Sequence, residues 1–148
     1  MKPLAGRRPG PAGEFTKEGG PRRWGQLADV LKLKVLKVGR VRVLMRLPWS
    51  RQASQMAGLL HGGALTTLAD TCAAVGTLAL LPEGSNTVTS ELKVNFISNI
   101  KSGAAVAEAR LLHRGRLTMV WEVKVRQEKT RKLLAACMGT FFVFTPKS

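Results

Sequence analysis

The residues that could do chemistry are concentrated in one segment of this sequence, residues 55–70, which reads QMAGLLHGGALTTLAD. Within it, His61 is followed at once by Gly62 and Gly63. The pattern predicts that a helix begins here, with uncovered backbone N–H groups and the positive end of the helix dipole at the glycines. Such a position suits a carbonyl oxygen that gains negative charge during a reaction.

Asp70 is the only carboxylate between Gly62 and Leu80. A lone carboxylate among small side chains is either a solvated helix residue or a group that works as a base or a nucleophile, and the spacing leaves these interpretations open. His61 is likewise either a group that holds a substrate or a histidine that caps the helix start. Both residues are candidates for a catalytic site.

The element that carries Asp70 is a predicted helix over residues 62–80, which Pro82 ends. Its apolar side chains recur at steps of three and four residues and form one stripe: Leu65, Leu68, Cys72, Val75 and Ala79. The residues on the other side are almost all small: Gly63, Thr66, Asp70, Ala74 and Thr77. Two such faces indicate a helix that packs closely on more than one side.

Predicted strands lie on both sides of this helix in the sequence. Residues 31–47 alternate apolar and basic side chains and turn near Gly39, which predicts two strands. After the helix the alternation returns in four stretches: residues 88–96, 104–112, 117–126 and 133–144. In the first stretch Val88, Ser90, Leu92, Val94 and Phe96 alternate with Thr89, Glu91, Lys93 and Asn95. The order predicts an α+β fold in which an antiparallel sheet of about six strands wraps around one long central helix.

The chain is strongly basic: among 148 residues it has 24 Lys and Arg against nine Asp and Glu, a formal net charge of +15. No Lys or Arg occurs from Gln52 to Leu92, so the candidate site stands between basic segments. This predicts an anionic partner, such as a phosphorylated small molecule, a nucleic acid or an anionic membrane. Asp70 argues against a membrane span over the apolar helix, and the scattered Trp residues and the absence of Tyr argue against a nucleic-acid-binding module.

Composition also divides the chain. Residues 1–25 contain ten Gly or Pro, which predicts a flexible basic arm, and residues 26–148 are expected to form one domain. Cys72 and Cys137 are too few and too far apart for a metal cluster or a disulfide framework. We therefore expect two packed thiols, no metal site and a reduced, cytoplasmic compartment.

His61-Gly62-Gly63, followed after six residues by Asp70, resembles the signature of hotdog-fold acyl-CoA thioesterases of the phenylacetate-pathway (PaaI-like) type. The resemblance extends to VTSELKVNF at residues 88–96 and covers roughly residues 30–144. It implies the hotdog fold and hydrolysis of an acyl-CoA thioester, or of an aryl-CoA thioester of the phenylacetyl-CoA type. It also implies that no separate cofactor is needed, because coenzyme A is part of the substrate.

The resemblance further implies a role for each site residue. The backbone N–H of Gly62 would polarise the thioester carbonyl, with His61 and Gly63 helping to hold the substrate. Asp70 would be the nucleophile or the general base, and Thr89 would lie close to it and help to place the water. Each site would be shared between two chains, so a homodimer or a tetramer made of two dimers is expected.

Two positions depart from the family pattern. Gln55 stands where the family usually has Asn, so the amide chemistry is kept with a reach that is longer by one methylene. Asn99 stands where the family often has Pro. The turn Arg114-Gly115-Arg116 is either a solvated turn or a site for the phosphates of coenzyme A.

The alternative from another functional class is a hotdog protein that binds acyl-CoA without hydrolysing it, as sensors of this fold do. Such sensors carry a helical DNA-binding module ahead of the fold, and residues 1–25 have no pattern for one. Asp70 also favours catalysis. A hydratase of this fold would need an Asp followed five residues later by a His, and no such pair occurs.

Overall fold

The computed structural model describes residues 25–145, so the predicted arm lies outside the described residues except for Gly25. In chain order the elements are α1 Gln26–Val30, β1 Lys34–Val38, β2 Arg42–Pro48, α2 Gly62–Ala79, β3 Asn86–Phe96, β4 Ala104–Arg114, β5 Thr118–Gln127 and β6 Leu133–Phe144. The predicted α+β arrangement of about six strands and one long helix is confirmed. None of the described helices is long and apolar enough to cross a membrane.

The six strands form one antiparallel sheet in the order β1-β2-β4-β5-β6-β3, which places β1 and β3 at its edges. Helix α2 packs across the concave face, so the architecture is the hotdog fold. The side chains of Trp121, Val123 and Val125 on β5 face the helix and are fully buried, as their alternation predicted. This burial of the inner face against one helix forms the core of the domain.

Close packing of α2 on β5 depends on a glycine. A Cβ atom on Gly76 would come within 2.5 Å of the ring of Trp121, so only glycine lets the helix approach this closely. The indole Nε1–H of Trp121 donates to the hydroxyl of Thr77 at 2.9 Å, and that hydroxyl donates to the carbonyl of Ala73 at 3.1 Å. The polar groups buried here are therefore all paired.

The first part of the fold differs from the sequence prediction in two ways. Helix α1 was not predicted, because five residues make little more than one turn and show no periodicity. The first strand begins at Lys34 and not at Leu31, because Lys32 has a positive φ of 55° and turns the chain. The N–H of Leu33 then donates to the carbonyl of Ala28 at 2.9 Å.

Helix α2 begins at one end of the sheet and ends at the other. At its start, the N–H of Leu60 donates to the carbonyl of Ile100 at 2.9 Å, which joins the loops that follow β2 and β3. At its end, Arg114, the last residue of β4, donates to the carbonyl of Leu80 at 2.9 Å. An 18-residue helix is about 27 Å long, so these two regions are far apart within one chain.

Candidate functional site

The loop over residues 49–61 fixes the start of α2. The indole Nε1–H of Trp49 donates to the carbonyl of Gly58 at 3.0 Å, and the N–H of Gln55 donates to the carbonyl of Leu59 at 2.8 Å. Gly58 has a φ of 75°, the left-handed conformation that glycine adopts without strain. These hydrogen bonds make a compact loop that places His61 directly before the first turn of the helix.

His61 is the N-cap of α2. Its Nδ1 accepts the backbone N–H of Gly63 at 2.8 Å. A neutral His61 with Nδ1 as acceptor carries its proton on Nε2, so the exposed edge of the ring offers a hydrogen-bond donor. The capping role and the substrate-holding role are thus compatible, whereas the N–H of Gly63 is already engaged by His61.

The backbone N–H of Gly62 is the uncovered donor at this helix start. It donates to no residue in the described range 25–145, while the hydroxyl of Thr66 donates to the Gly62 carbonyl at 2.9 Å. The ring of Phe96 packs against this glycine, since a Cβ there would lie 3.1 Å from the ring atom Cζ. A free N–H at a helix N-terminus is chemically able to stabilise an oxyanion.

Asp70 is half-buried on α2 and is paired with β3. The hydroxyl of Thr89 donates to its Oδ1 at 2.7 Å. Because one carboxylate oxygen is held in this way, the other remains available for a water or a substrate. The structure therefore brings together two of the residues that the sequence analysis selected.

A β-bulge explains how Thr89 reaches the helix. The register of β3 on β6 shifts between Thr89 and Glu91, so Thr89 turns toward the face of the sheet that α2 covers. The simple alternation, which put Val88 on the same side as Leu92, is wrong at this end of the strand: Val88 is 51% exposed. A bulge leaves no plain sign in the sequence, because it changes the side of the sheet without changing the residue types.

Gln55 and Asn99 organise the loops beside Gly62. The Oε1 of Gln55 accepts the N–H of Ala57 within its own loop, and its amide nitrogen has no acceptor among the described residues. The Nδ2 of Asn99 donates to the carbonyl of Leu60 at 2.8 Å, directly before the N-cap. The sequence analysis noted Asn99 only as a departure from the family pattern and missed this positioning contact.

The turn Arg114-Gly115-Arg116 lies at the opposite end of α2 within the same chain. The guanidinium of Arg114 is bonded to the Leu80 carbonyl, and the N–H of Gly115 donates to the carbonyl of Thr118 at 2.8 Å. Within one chain the structure therefore does not bring this turn to the glycines at the helix start.

Gly62 and Asp70 are also separated within one chain. Eight residues of α-helix span about 12 Å along the axis, although both residues face the same side. One thioester carbonyl cannot contact an N–H and a carboxylate at that distance. Within a single chain, the N–H of Gly62 and the carboxylate of Asp70 therefore lie at different levels of the helix.

Metal ligation and thiol chemistry are two further possibilities among the described residues. They include no group of three or more His, Cys, Asp or Glu side chains that could hold a metal ion. Cys72 and Cys137 are free and buried, as expected for packed thiols, and burial raises the pKa of Cys72 to about 12 and that of Cys137 to about 11. Such thiols are poor nucleophiles.

Comparison with known proteins identifies the family. The model of the thioesterase superfamily matches residues 57–134. A protein of Deinococcus radiodurans that bears the name of an esterase is 38% identical over 129 residues, which are 86% of this chain and 76% of that protein. The 1,4-dihydroxy-2-naphthoyl-CoA hydrolase of Listeria monocytogenes is 27% identical over 117 residues, which are 79% of this chain and 94% of that protein.

Solved structures show the same architecture. A thioesterase of Staphylococcus aureus, with one glutamine replaced by alanine, superposes with a TM-score of 0.78 at 26% identity and covers 82% of this chain and 100% of its own. A second variant of that protein, with one glutamate replaced by alanine, gives a TM-score of 0.78 at 27% identity and covers 80% of this chain and 98% of its own. The chain is therefore a thioester hydrolase of hotdog fold that belongs to the thioesterase superfamily.

Proposed function

We propose that this enzyme hydrolyses acyl-CoA thioesters, including aryl-CoA thioesters, to the free acid and coenzyme A. The observation that carries the proposal is the uncovered N–H of Gly62 on the same helix face as Asp70, whose Oδ1 is held by Thr89. The relative from Listeria is named as a hydrolase of an aromatic acyl-CoA, which supports a CoA thioester as substrate. Coenzyme A enters as part of the substrate, so the proposal includes no further cofactor.

The proposed reaction begins with addition of a nucleophile to the thioester carbonyl and continues with expulsion of coenzyme A. The thioester oxygen accepts the N–H of Gly62, which stabilises the negative charge that develops there. If Asp70 acts as the base, it takes a proton from the attacking water, and the C–S bond of the adduct then breaks. If Asp70 acts as the nucleophile, it attacks the carbonyl carbon, the C–S bond breaks to give an acyl-enzyme, and water then hydrolyses that acyl-enzyme. In both routes the thiolate of coenzyme A leaves and takes up a proton.

The separation of Gly62 and Asp70 supports a site that is shared between two chains. In a two-fold symmetric pair, a contact of Gly62 with the other chain's Asp70 implies the reciprocal contact. Both contacts can form only if the two α2 helices run antiparallel. Gly62, Thr66 and Asp70 follow one another at steps of four on one face, and the first two are small enough for a close approach.

Gln55 is included in the proposed site on a spacing argument. Gln55 and Asp70 are fifteen residues apart, and so are the glutamine and the glutamate that were replaced in the two Staphylococcus aureus variants. The free amide nitrogen of Gln55 lies in the loop that precedes the helix start. We propose that this amide binds the substrate or the water beside Gly62.

The antiparallel arrangement also gives a role to the turn Arg114-Gly115-Arg116. Suppose that the partner's Asp70 lies level with Gly62. Ten residues of helix then place the partner's Leu80 about 15 Å away along the helix axis, beyond the N-terminus of this chain's α2. We propose that the turn of one chain helps to bind the phosphates of coenzyme A in the site that the other chain's Gly62 completes.

A panel of acyl-CoA and aryl-CoA thioesters, assayed by release of the free thiol, tests the proposal. The expected result is hydrolysis of at least one thioester, with the free acid and coenzyme A in equal amounts. Calorimetric binding of the same thioesters without any thiol release would contradict hydrolysis and favour the acyl-CoA-binding alternative. If no thioester in the panel is either hydrolysed or bound, CoA thioesters are contradicted as the substrate class.

A further inference from the structure

Phe96 places an aromatic ring directly beside the proposed carbonyl-binding group. It is the last residue of β3, and three atoms at the tip of its ring lie 3.1, 3.3 and 3.6 Å from the position that a Cβ on Gly62 would occupy. The residue is nevertheless 55% exposed. The ring thus contacts the helix start and leaves a large apolar surface uncovered.

The position of Phe96 on the sheet shows that this surface is not needed for the core. Leu92 and Val94 precede it on the helix-facing side of β3 and are half-buried against α2. The large aromatic residues that build the core, Trp121 and Phe141, are fully buried. Phe96 continues the same apolar face as far as the first residue of the helix, where its ring contacts Gly62.

We propose that Phe96 contacts the acyl group of the substrate and discriminates between acyl groups. This inference rests on the proposed function, because it assumes that the thioester carbonyl binds the N–H of Gly62. Of the two groups attached to that carbonyl carbon, the hydrocarbon part of the acyl group is apolar, whereas coenzyme A is polar and carries phosphates. The ring of Phe96 therefore forms the wall that the acyl group packs against.

An aromatic wall favours aromatic acyl groups. Rings that stack with an offset or meet edge to face gain free energy beyond the burial of their area. An alkyl chain of similar size gains the burial alone. Phe96 should therefore raise the preference of the enzyme for an arylacetyl over a straight-chain acyl thioester by about 3- to 10-fold.

The test compares phenylacetyl-CoA with hexanoyl-CoA in wild type and in Phe96→Leu, which keeps an apolar side chain but removes the ring. The ratio of kcat/KM for the two esters should fall by about 3- to 10-fold in Phe96→Leu and recover in Phe96→Tyr. Ile97→Leu is the matched control, because Ile97 is the next residue and is 58% exposed. That control should leave the ratio unchanged.

Two results would overturn the inference while leaving the proposed function intact. An equal change of kcat/KM for both esters would show that the ring contacts the part of the substrate that they share. An unchanged ratio with a lowered melting temperature would show that the ring only supports the fold. If wild type hydrolysed neither ester nor any other CoA thioester, the proposed function would fail, and the inference with it.

Discussion

The two ends of helix α2 are built on opposite principles. At the C-terminal end, Arg114 bonds the Leu80 carbonyl, Trp121 bonds Thr77, and Gly76 lets the helix and the sheet approach closely. At the N-terminal end, the N–H of Gly62 has no acceptor within residues 25–145, and the ring of Phe96 is more than half exposed. The polar groups named at the C-terminal end are hydrogen-bonded within the chain, whereas at the N-terminal end the N–H of Gly62 and the ring of Phe96 are available to a ligand.

This difference shows where function lies on the fold. Polar groups that the chain pairs internally contribute to stability, whereas groups that it orders but leaves uncovered are ready to bind a ligand. Substitutions at the C-terminal end should therefore change the free energy of unfolding, and substitutions at the N-terminal end should change kinetics. The turn Arg114-Gly115-Arg116 is the exception, because in the proposed dimer it also contacts the substrate. The predictions below test this division, beginning with the largest expected effect.

Asp70→Asn should lower kcat by at least about 100-fold with the fold retained. The substitution keeps the volume and can still accept the hydrogen bond from Thr89, but it removes the basicity and the nucleophilicity of the carboxylate. The measurement is the steady-state rate with the best thioester, together with the melting temperature. Glu122→Gln, on the other face of the sheet, is the control and should keep the wild-type rate. An Asn variant within a few-fold of wild type would make Asp70 a structural residue.

Gly76→Ala should destabilise the protein by about 1–3 kcal/mol. Alanine in the middle of a helix is normally more favourable than glycine, so a loss would come from the new Cβ, which meets the Trp121 ring at 2.5 Å. Urea unfolding gives the free energy, and the rate per folded molecule should stay near wild type. A variant that is as stable as wild type would show that the Trp121 ring has room to move.

Arg114→Ala should lower the free energy of unfolding by at most about 1 kcal/mol, because its bond to the Leu80 carbonyl is made by an exposed side chain. Arg116→Ala should leave stability unchanged, since Arg116 makes no hydrogen bond to any of the described residues. If the turn meets coenzyme A across the dimer, both variants should raise KM. An unchanged KM in both would remove the turn from the substrate site.

Ionic strength should change KM more than kcat. The chain carries a net charge of +15, and the loops near the helix start hold exposed cations at Lys101, Lys129, Arg131 and Lys132. Salt screens their attraction for the phosphates of coenzyme A, so KM should rise between low and physiological salt. A KM independent of salt would show that the positive charge does not contribute to binding of coenzyme A.

The sequence predicted the helix, the strands and the residues that α2 carries, because those depend on local periodicity. It could not predict the geometry that depends on register or on long-range contacts. Thr89 reaches Asp70 only because a bulge turns the strand, and Asn99 holds Leu60 across 39 positions of sequence. Phe96 was predicted as one apolar residue of an alternating strand, and its contact with Gly62 arises only from packing.

The same limit applies to the site as a whole. The spacing of His61, Gly62 and Asp70 identified the candidates, but the helix separates the second from the third by about 12 Å. The helical rise turns this spacing into an argument for a second chain, which the family resemblance also implied. The roles of all the site residues remain predictions. For Gln55 and Gly63 the chain itself engages part of each residue within its own loop or helix start.

The most direct test of the shared site is complementation between two inactive variants. Asp70→Asn removes the carboxylate, and Gly62→Pro removes the N–H. Proline is tolerated at the first position of a helix, and His61, with φ −65° and ψ 137°, already has the conformation that proline requires of the residue before it. The Cβ of proline would lie 3.1 Å from the tip of the exposed Phe96 ring, which must shift by a few tenths of an ångström.

Each variant alone should be inactive while it stays folded and dimeric. If Gly62 of one chain acts with Asp70 of the other, a mixed dimer contains one intact site, and an equal mixture that is unfolded and refolded together should recover about a quarter of wild-type activity. Mixing without exchange of chains is the control and should recover none. A co-refolded mixture that contains mixed dimers and remains inactive would contradict the shared site.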